Sequence, residues 1–85
     1  MEEIKYTIKD PLGIHARPAG LLVKETSKFV SDIIIEKGEK KGDAKKIFSL
    51  MSLGIKCGDE ILIKIDGSDE DAAKTSIEGF LNQNL

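Results

Sequence analysis

Alternating apolar and polar residues in two segments constrain the fold of this chain most. One segment runs from Glu3 to Lys9 and the other from Glu60 to Asp66. A two-residue period is typical of a strand that buries one side and leaves the other in water. A sheet built from such strands has one wet face, and helices must cover the opposite face. The inward-facing residues are Ile4, Tyr6 and Ile8 in the first segment and Ile61, Ile63 and Ile65 in the second.

The remaining patterns predict the element order β-α-β-β-α-β-α. The β-branched run Ile33-Ile34-Ile35 is typical of a strand, and the polar segment after the turn at Gly38 predicts a short edge strand. This order gives a two-layer, open-faced sandwich that forms a single domain over residues 1–85. The predicted helices cover 17–28, 44–53 and a segment after Ser68 or Asp69, the additional strands cover 31–37 and 40–43, and the tail 82–85 is expected to fray.

Composition argues against several classes of function. The net charge of −2 in 85 residues argues against a nucleic-acid binder. Cys57 is the only cysteine and His15 the only histidine, so neither a disulfide nor a metal site is expected. The sequence shows no signal peptide, no apolar run long enough to enter a membrane and no glycine-rich phosphate loop. We therefore expect a cytoplasmic domain without a cofactor.

The segment from Gly13 to Pro18 carries the strongest chemical signal. Pro18 is suited to the first turn of a helix, which places His15 at the helix start. Free N–H groups and the positive end of the helix dipole favour an anion there. Arg17 can bind a phosphate oxygen, and His15 can act as a neutral nucleophile. A lone histidine is more often structural, but its position at a loop-to-helix junction beside an arginine favours phosphoryl acceptance.

The predicted second helix leaves two interpretations open. Ile47 and Leu50 can face inward, which places Phe48 and Met51 on another side of the helix. Either the short helix is buried all round, or these two side chains form an apolar docking patch. Gly20 likewise serves either close packing or close approach by a partner. A nearby run of lysines is either a solvated edge or a steering surface for an acidic partner; it comprises Lys40, Lys41, Lys45 and Lys46, to which Lys24 and Lys28 add.

Two motifs resemble those of the HPr family, the histidine-containing phosphocarriers of the bacterial phosphoenolpyruvate:sugar phosphotransferase system. The first is Gly-Ile-His-Ala-Arg-Pro-Ala at 13–19, and the second is Lys-Ile-Phe-Ser-Leu-Met-Ser-Leu-Gly-Ile at 46–55. The resemblance extends over the length, the element order and the spacing of the motifs. It implies an α+β fold in which three helices cover one face of a four-stranded, mainly antiparallel sheet.

The resemblance also implies a mechanism. His15 would accept a phosphoryl group on Nδ1 from phosphorylated enzyme I and pass it to the IIA domains of sugar permeases. Arg17 would stabilise the phosphate, together with the backbone N–H groups of Ala16 and Arg17. Such a protein is a carrier rather than an independent enzyme, and we expect a monomer. The family's partner surface corresponds here to Gly20, Lys24, Ser27, Ile47, Phe48 and Met51.

Two positions depart from the family pattern. Lys46 stands where many members from Gram-positive bacteria have a regulatory serine, which predicts that control by the serine kinase is absent or altered. Leu12 stands where small polar residues are common, so capping of the histidine loop by that side chain is missing. Two other functions stay open at this point: a regulatory paralogue that relays phosphate to control proteins, and an interaction module that uses Phe48 and Met51 without phosphorylation.

Overall fold

The computed structural model describes all 85 residues and contains the seven predicted elements in the predicted order. The four strands form one antiparallel sheet in the order β1-β4-β2-β3, so β1 and β3 are its edges. The predicted fold class is confirmed. The elements are β1 (Glu2–Thr7), α1 (Ala16–Thr26), β2 (Asp32–Lys37), β3 (Lys40–Asp43), α2 (Ile47–Ser52), β4 (Glu60–Asp66) and α3 (Glu70–Asn84).

Isoleucines at matching positions of the three long strands form the inner face of the sheet. Ile63 of β4 lies opposite Ile4 of β1 and Ile35 of β2. Branched side chains pack well on a pleated surface, and all three are buried. The outer face remains wet, and there Lys64 forms an ion pair with Glu36 at 3.0 Å. The core receives residues from all three helices and from the loops that join them.

Helix α1 is tied to the segment before α2 by one buried hydroxyl group. The Thr26 hydroxyl donates to the main-chain oxygen of Val23 at 3.1 Å and to that of Ala44 at 2.8 Å. Both Thr26 and Ala44 are fully buried. This contact fixes the end of α1 relative to the segment that leads into α2.

At the start of α3, an aspartate that could cap the helix with its side chain makes other contacts. Asp69 is the N-cap residue, but its side chain does not cap the helix. Its carboxylate instead accepts hydrogen bonds from the Val30 N–H, the Ser31 N–H and the Ser31 hydroxyl. These bonds hold the pKa of the Asp69 carboxyl below its ordinary value, with the Ser31 hydroxyl as the largest cause. Asp69 therefore joins α3 to the start of β2.

Helix α2 is shorter than the predicted span of 44–53. The Ala44 N–H donates to the Ile33 oxygen, which continues the β2–β3 pairing beyond β3. The Lys45 N–H then donates to the Asp43 carboxylate in a tight turn. The helix begins only after these contacts, and it ends before Gly54, whose φ of 62° is suited to the position after a helix.

The prediction that the tail frays is wrong. Helix α3 continues to Asn84, and the Leu85 side chain is buried. The Leu85 main-chain oxygen accepts from the N–H groups of Lys9 and Asp10. These bonds also explain why β1 ends at Thr7 rather than at Lys9. No helix of the chain combines the length and the apolar character that crossing a bilayer requires.

Candidate functional site

His15 lies at the start of α1, as the position of Pro18 predicts. It is the N-cap residue, with extended φ and ψ of −115° and −176°, and its side chain is half-buried. Its main-chain oxygen accepts the first helical hydrogen bond, from Ala19 at 2.9 Å. The N–H groups of Ala16 and Arg17 have no acceptor within the chain, and Pro18 has no N–H to offer. The helix therefore presents two free donors beside the imidazole.

The loop that delivers His15 depends on Gly13. Its φ of 68° lies in the left-handed region, which residues other than glycine rarely adopt because of their β-carbon. A β-carbon there would also collide with the main chain of Ile55 and lie only 2.7 Å from the Lys56 Cα. The next residue, Ile14, is buried and donates its N–H to the Ile55 oxygen at 3.1 Å. Close backbone contact with the 55–56 segment thus fixes the residue before His15.

The His15 side chain lines an open pocket of about 250 Å³. Arg17 lines the same pocket, is exposed and makes no ion pair, so its guanidinium is free to bind an anion. An imidazole, a free guanidinium and two free N–H groups suit a phosphoryl group. The pocket residues are Asp10, His15, Arg17, Pro18, Leu21 and Asn84.

Sequence reasoning did not identify Asp10 and Asn84 as pocket residues. Asn84 reaches the pocket from the end of α3, about 70 residues along the chain from His15, and no local pattern indicates that approach. Asp10 did carry a signal. Aspartate side chains often stabilise turns by accepting a hydrogen bond from the N–H two residues later in the chain. The Asp10 carboxylate accepts such a bond from the Leu12 N–H at 2.8 Å. The Asp10 side chain thus holds the loop in which Leu12 offers no capping group.

Large apolar side chains are exposed on both α2 and α1. Phe48 is 85% exposed and Met51 is 42% exposed, so the interpretation of α2 as buried all round is wrong. Leu21 of α1 is also exposed. The nearest atom to a β-carbon added at Gly20 is the Ile47 Cδ1 at 3.8 Å, an ordinary contact distance. Internal packing therefore does not require glycine at position 20, which favours its interpretation as a place of partner approach.

The lysine run divides into engaged and free residues. The Lys45 amino group donates to the Phe29 oxygen at 2.8 Å, and Lys28 pairs with Glu25 at 3.0 Å. The others lie exposed without an acidic partner; they are Lys24, Lys40, Lys41 and Lys46. Lys46 is the N-cap residue of α2, and its side chain makes no capping bond.

Groups that could ligate a metal lie at the opposite end of α3 from Asn84. Oxygens of Glu2, Glu70 and Asp71 come within 4.8 Å of one another. Glu2 is paired with Lys74 at 3.3 Å, and Glu70 is paired with the Met1 amino group at 2.7 Å. Two of the three carboxylates are thus neutralised by cations of the chain itself.

The fold and the histidine pocket define a small α+β domain that is equipped to accept an anionic group. Residues 2–83 match the family described as the PTS HPr component phosphorylation site. The chain is 46% identical over 85 residues to the phosphocarrier protein HPr of Mycoplasma genitalium, a match that covers 99% of this chain and 97% of that protein. The chain belongs to the HPr family. Its role is that of a phosphocarrier of the phosphotransferase system, a carrier rather than an independent catalyst.

Solved structures support the same assignment. The histidine-containing phosphocarrier protein of Mycoplasma superimposes with a TM-score of 0.94 at 43% identity, covering 96% of this chain and 93% of that chain. Another similar structure is of an HPr dimer from Thermoanaerobacter tengcongensis, with a TM-score of 0.77, 40% identity and coverage of 98% and 95%. A monomeric state therefore stays a prediction for this chain.

Proposed function

We propose that His15 is the phosphorylated residue, that phosphorylated enzyme I is its donor and that the IIA domains of sugar permeases are its acceptors. The observation that carries the proposal is the shared pocket of His15 and Arg17 at a helix start with two free N–H groups. No other side chain of the chain combines a nucleophilic nitrogen with a free guanidinium beside it.

The proposed transfer needs only groups at this helix start. The Nδ1 lone pair of His15 forms a bond to phosphorus, while the bond from phosphorus to the donor breaks and its electron pair returns to the donor. Arg17 and the N–H groups of Ala16 and Arg17 bind the phosphoryl oxygens. Because the pocket is open and these donors are few, the group is held only loosely. A carrier that bound its phosphoryl group tightly would not release it to the next protein.

The proposed partner surface extends from α1, the helix that begins at the pocket, onto the neighbouring helix α2. The exposed apolar side chains Phe48 and Met51 belong to the helix whose N-cap residue is the free Lys46, an arrangement that suits a partner with an apolar spot and an acidic rim. The room beside Gly20 favours close approach by a partner at that point. The proposed contact residues are Gly20, Lys24, Ser27, Ile47, Phe48 and Met51, while Lys46 leaves no serine at the regulatory position.

The test of the phosphorylation site mixes the protein with enzyme I and phosphoenolpyruvate. We expect one acid-labile phosphoryl group per chain in the wild type and none in His15→Ala, as measured by phosphorus NMR and by intact mass at neutral pH. A wild type that stays unmodified with active enzyme I, or a modified His15→Ala variant, would contradict the assignment.

The docking surface is tested with a matched pair of exposed apolar residues. Phe48 on α2 is 85% exposed, whereas Val30, whose N–H donates to Asp69 at the start of α3, is 75% exposed. Phe48→Ser is expected to raise the KM of enzyme I for this protein about tenfold, because aromatic side chains often contribute most of the binding energy of an interface. Val30→Ser should leave the KM unchanged. An equal effect of both variants would refute the proposal that Phe48 contacts enzyme I.

The position of Lys46 gives a separate test. Incubation with the serine kinase and ATP should yield no stoichiometric phosphoserine by mass spectrometry, because the residue at that position has no hydroxyl group. The variant Lys46→Ser restores a hydroxyl there and serves as the positive control. Stoichiometric phosphoserine on the wild type would refute the prediction.

A further inference from the structure

Asp10 lies at the centre of the loop that presents His15. Its N–H donates to the Leu85 oxygen at 2.9 Å, and its own main-chain oxygen accepts from the Gly13 N–H at 2.9 Å. Its carboxylate oxygen Oδ1 accepts from the Leu12 N–H at 2.8 Å. One hydrogen bond thus attaches the carboxylate to the backbone of the loop.

The same residue lines the histidine pocket and carries a negative charge. Asp10 and Arg17 both line the pocket, yet they form no ion pair with each other or with any other residue. Neither charge is therefore cancelled by a direct partner. A phosphoryl group on His15 would carry nearly two negative charges, so Arg17 would attract it and Asp10 would repel it.

We propose that Asp10 is a positioning residue that also weakens the pocket's hold on the phosphoryl group of His15 and so keeps that group transferable. The proposal rests on the proposed function of His15. The Asp10 carboxylate raises the free energy of the phosphorylated form and leaves the unphosphorylated form almost unaffected. Arg17 acts in the opposite direction together with the free N–H groups of the helix start, so Asp10 lowers the net attraction that these donors exert on the phosphoryl group.

The loop contact and the charge can be separated with one conservative variant. In Asp10→Asn the side-chain oxygen can still accept from the Leu12 N–H, but the charge is gone. Asp10→Ala loses both the charge and the hydrogen bond. A purely structural role predicts that Asp10→Asn behaves like the wild type, whereas an electrostatic role predicts that it differs from the wild type.

The experiment measures an equilibrium, which the rate of docking to enzyme I does not affect. Each variant is equilibrated with a catalytic amount of enzyme I and a fixed ratio of phosphoenolpyruvate to pyruvate. One phosphoryl group moves from phosphoenolpyruvate to His15 for each pyruvate formed, and phosphorus NMR gives the ratio of phosphorylated to unphosphorylated protein. For Asp10→Asn we expect that ratio to rise about fivefold at low salt, and less at high salt.

A charge-matched control lies at the other end of α3. Asp71 is exposed in the first turn of that helix, about 20 Å along the axis from Asn84. Asp71→Asn changes the net charge equally and should leave the ratio within experimental error. Arg17→Gln should lower the ratio, because it removes the attractive charge.

The outcomes distinguish this proposal from the assignment of His15. If the wild type takes up no phosphoryl group, the proposed function fails and the role of Asp10 fails with it. If the wild type is phosphorylated but Asp10→Asn shows the wild-type ratio, only the electrostatic role of Asp10 is overturned. The same holds if Asp71→Asn raises the ratio as much as Asp10→Asn does.

Discussion

Replacement of Thr26 by valine isolates one buried hydrogen-bonded group. The two side chains have nearly the same shape, so the packing around position 26 is kept. The hydroxyl that donates to Val23 and to Ala44 is lost. The Val23 oxygen retains a second donor, the Ser27 N–H at 2.9 Å. The Ala44 oxygen has no other donor within the chain and lies in a fully buried residue.

The expected cost follows from the buried oxygen that remains. A buried acceptor without a donor costs about 1–3 kcal/mol, so we expect Thr26→Val to lower the free energy of unfolding by about 2 kcal/mol. For a domain of this size that loss lowers Tm by about 10 °C. Thr26→Ser keeps the hydroxyl and removes only a methyl group, which costs about 1 kcal/mol.

Urea unfolding followed by circular dichroism measures both variants. The slope of free energy against urea should stay constant, since the surface exposed on unfolding hardly changes. We expect valine to be the more damaging substitution. Equal stability of Thr26→Val and the wild type, or a greater loss in Thr26→Ser, would show that the hydroxyl does not stabilise the junction of α1 with the segment before α2.

Three other changes have expected outcomes. Gly13→Ala should lower the free energy of unfolding by at least about 2 kcal/mol, because of left-handed strain and the collision with residues 55–56, and a urea midpoint near the wild type would refute this. Gly20→Ala should raise that free energy by about 0.5–1 kcal/mol, because alanine favours a helix and the added methyl has room; a lowered Tm in calorimetry would argue otherwise. The depressed pKa of Asp69 means that its contribution to stability is present above the ordinary aspartate pKa and is lost as the pH falls through the lower folded value. Asp69→Asn should flatten this acid dependence in urea titrations, whereas an unchanged profile would assign it to other carboxyl groups.

Most of the fold could be predicted from the sequence because its strands have one wet face. The bounds of β4, Glu60–Asp66, agree with the alternation of its isoleucines. The bounds of β3 agree with the polar return after the turn at Gly38. In both cases local pattern and tertiary environment favour the same structure, so a period of two residues is sufficient.

The differences occur where distant segments determine the local structure. The pairing of Ala44 with Ile33 shortens α2, and the pairing of Leu85 with the residues after β1 keeps the tail ordered. Neither contact has a local signature. The same limit applies to the site: a helix start at His15 could be predicted from Pro18, but the arrival of Asn84 in the pocket depends on how α3 packs.

The place of β4 in the sheet has a consequence for synthesis on the ribosome. This strand pairs with both β1 and β2, so β1 has no strand to pair with until about 60 residues have been made. Such long-range pairing slows folding and delays the burial of the inner isoleucines. The loop before His15 also requires Leu85, because the Leu85 main-chain oxygen accepts hydrogen bonds from the N–H groups of Lys9 and Asp10. The pocket can therefore form only after residue 85 has been made, and a shorter nascent chain presents no organised acceptor to the donor.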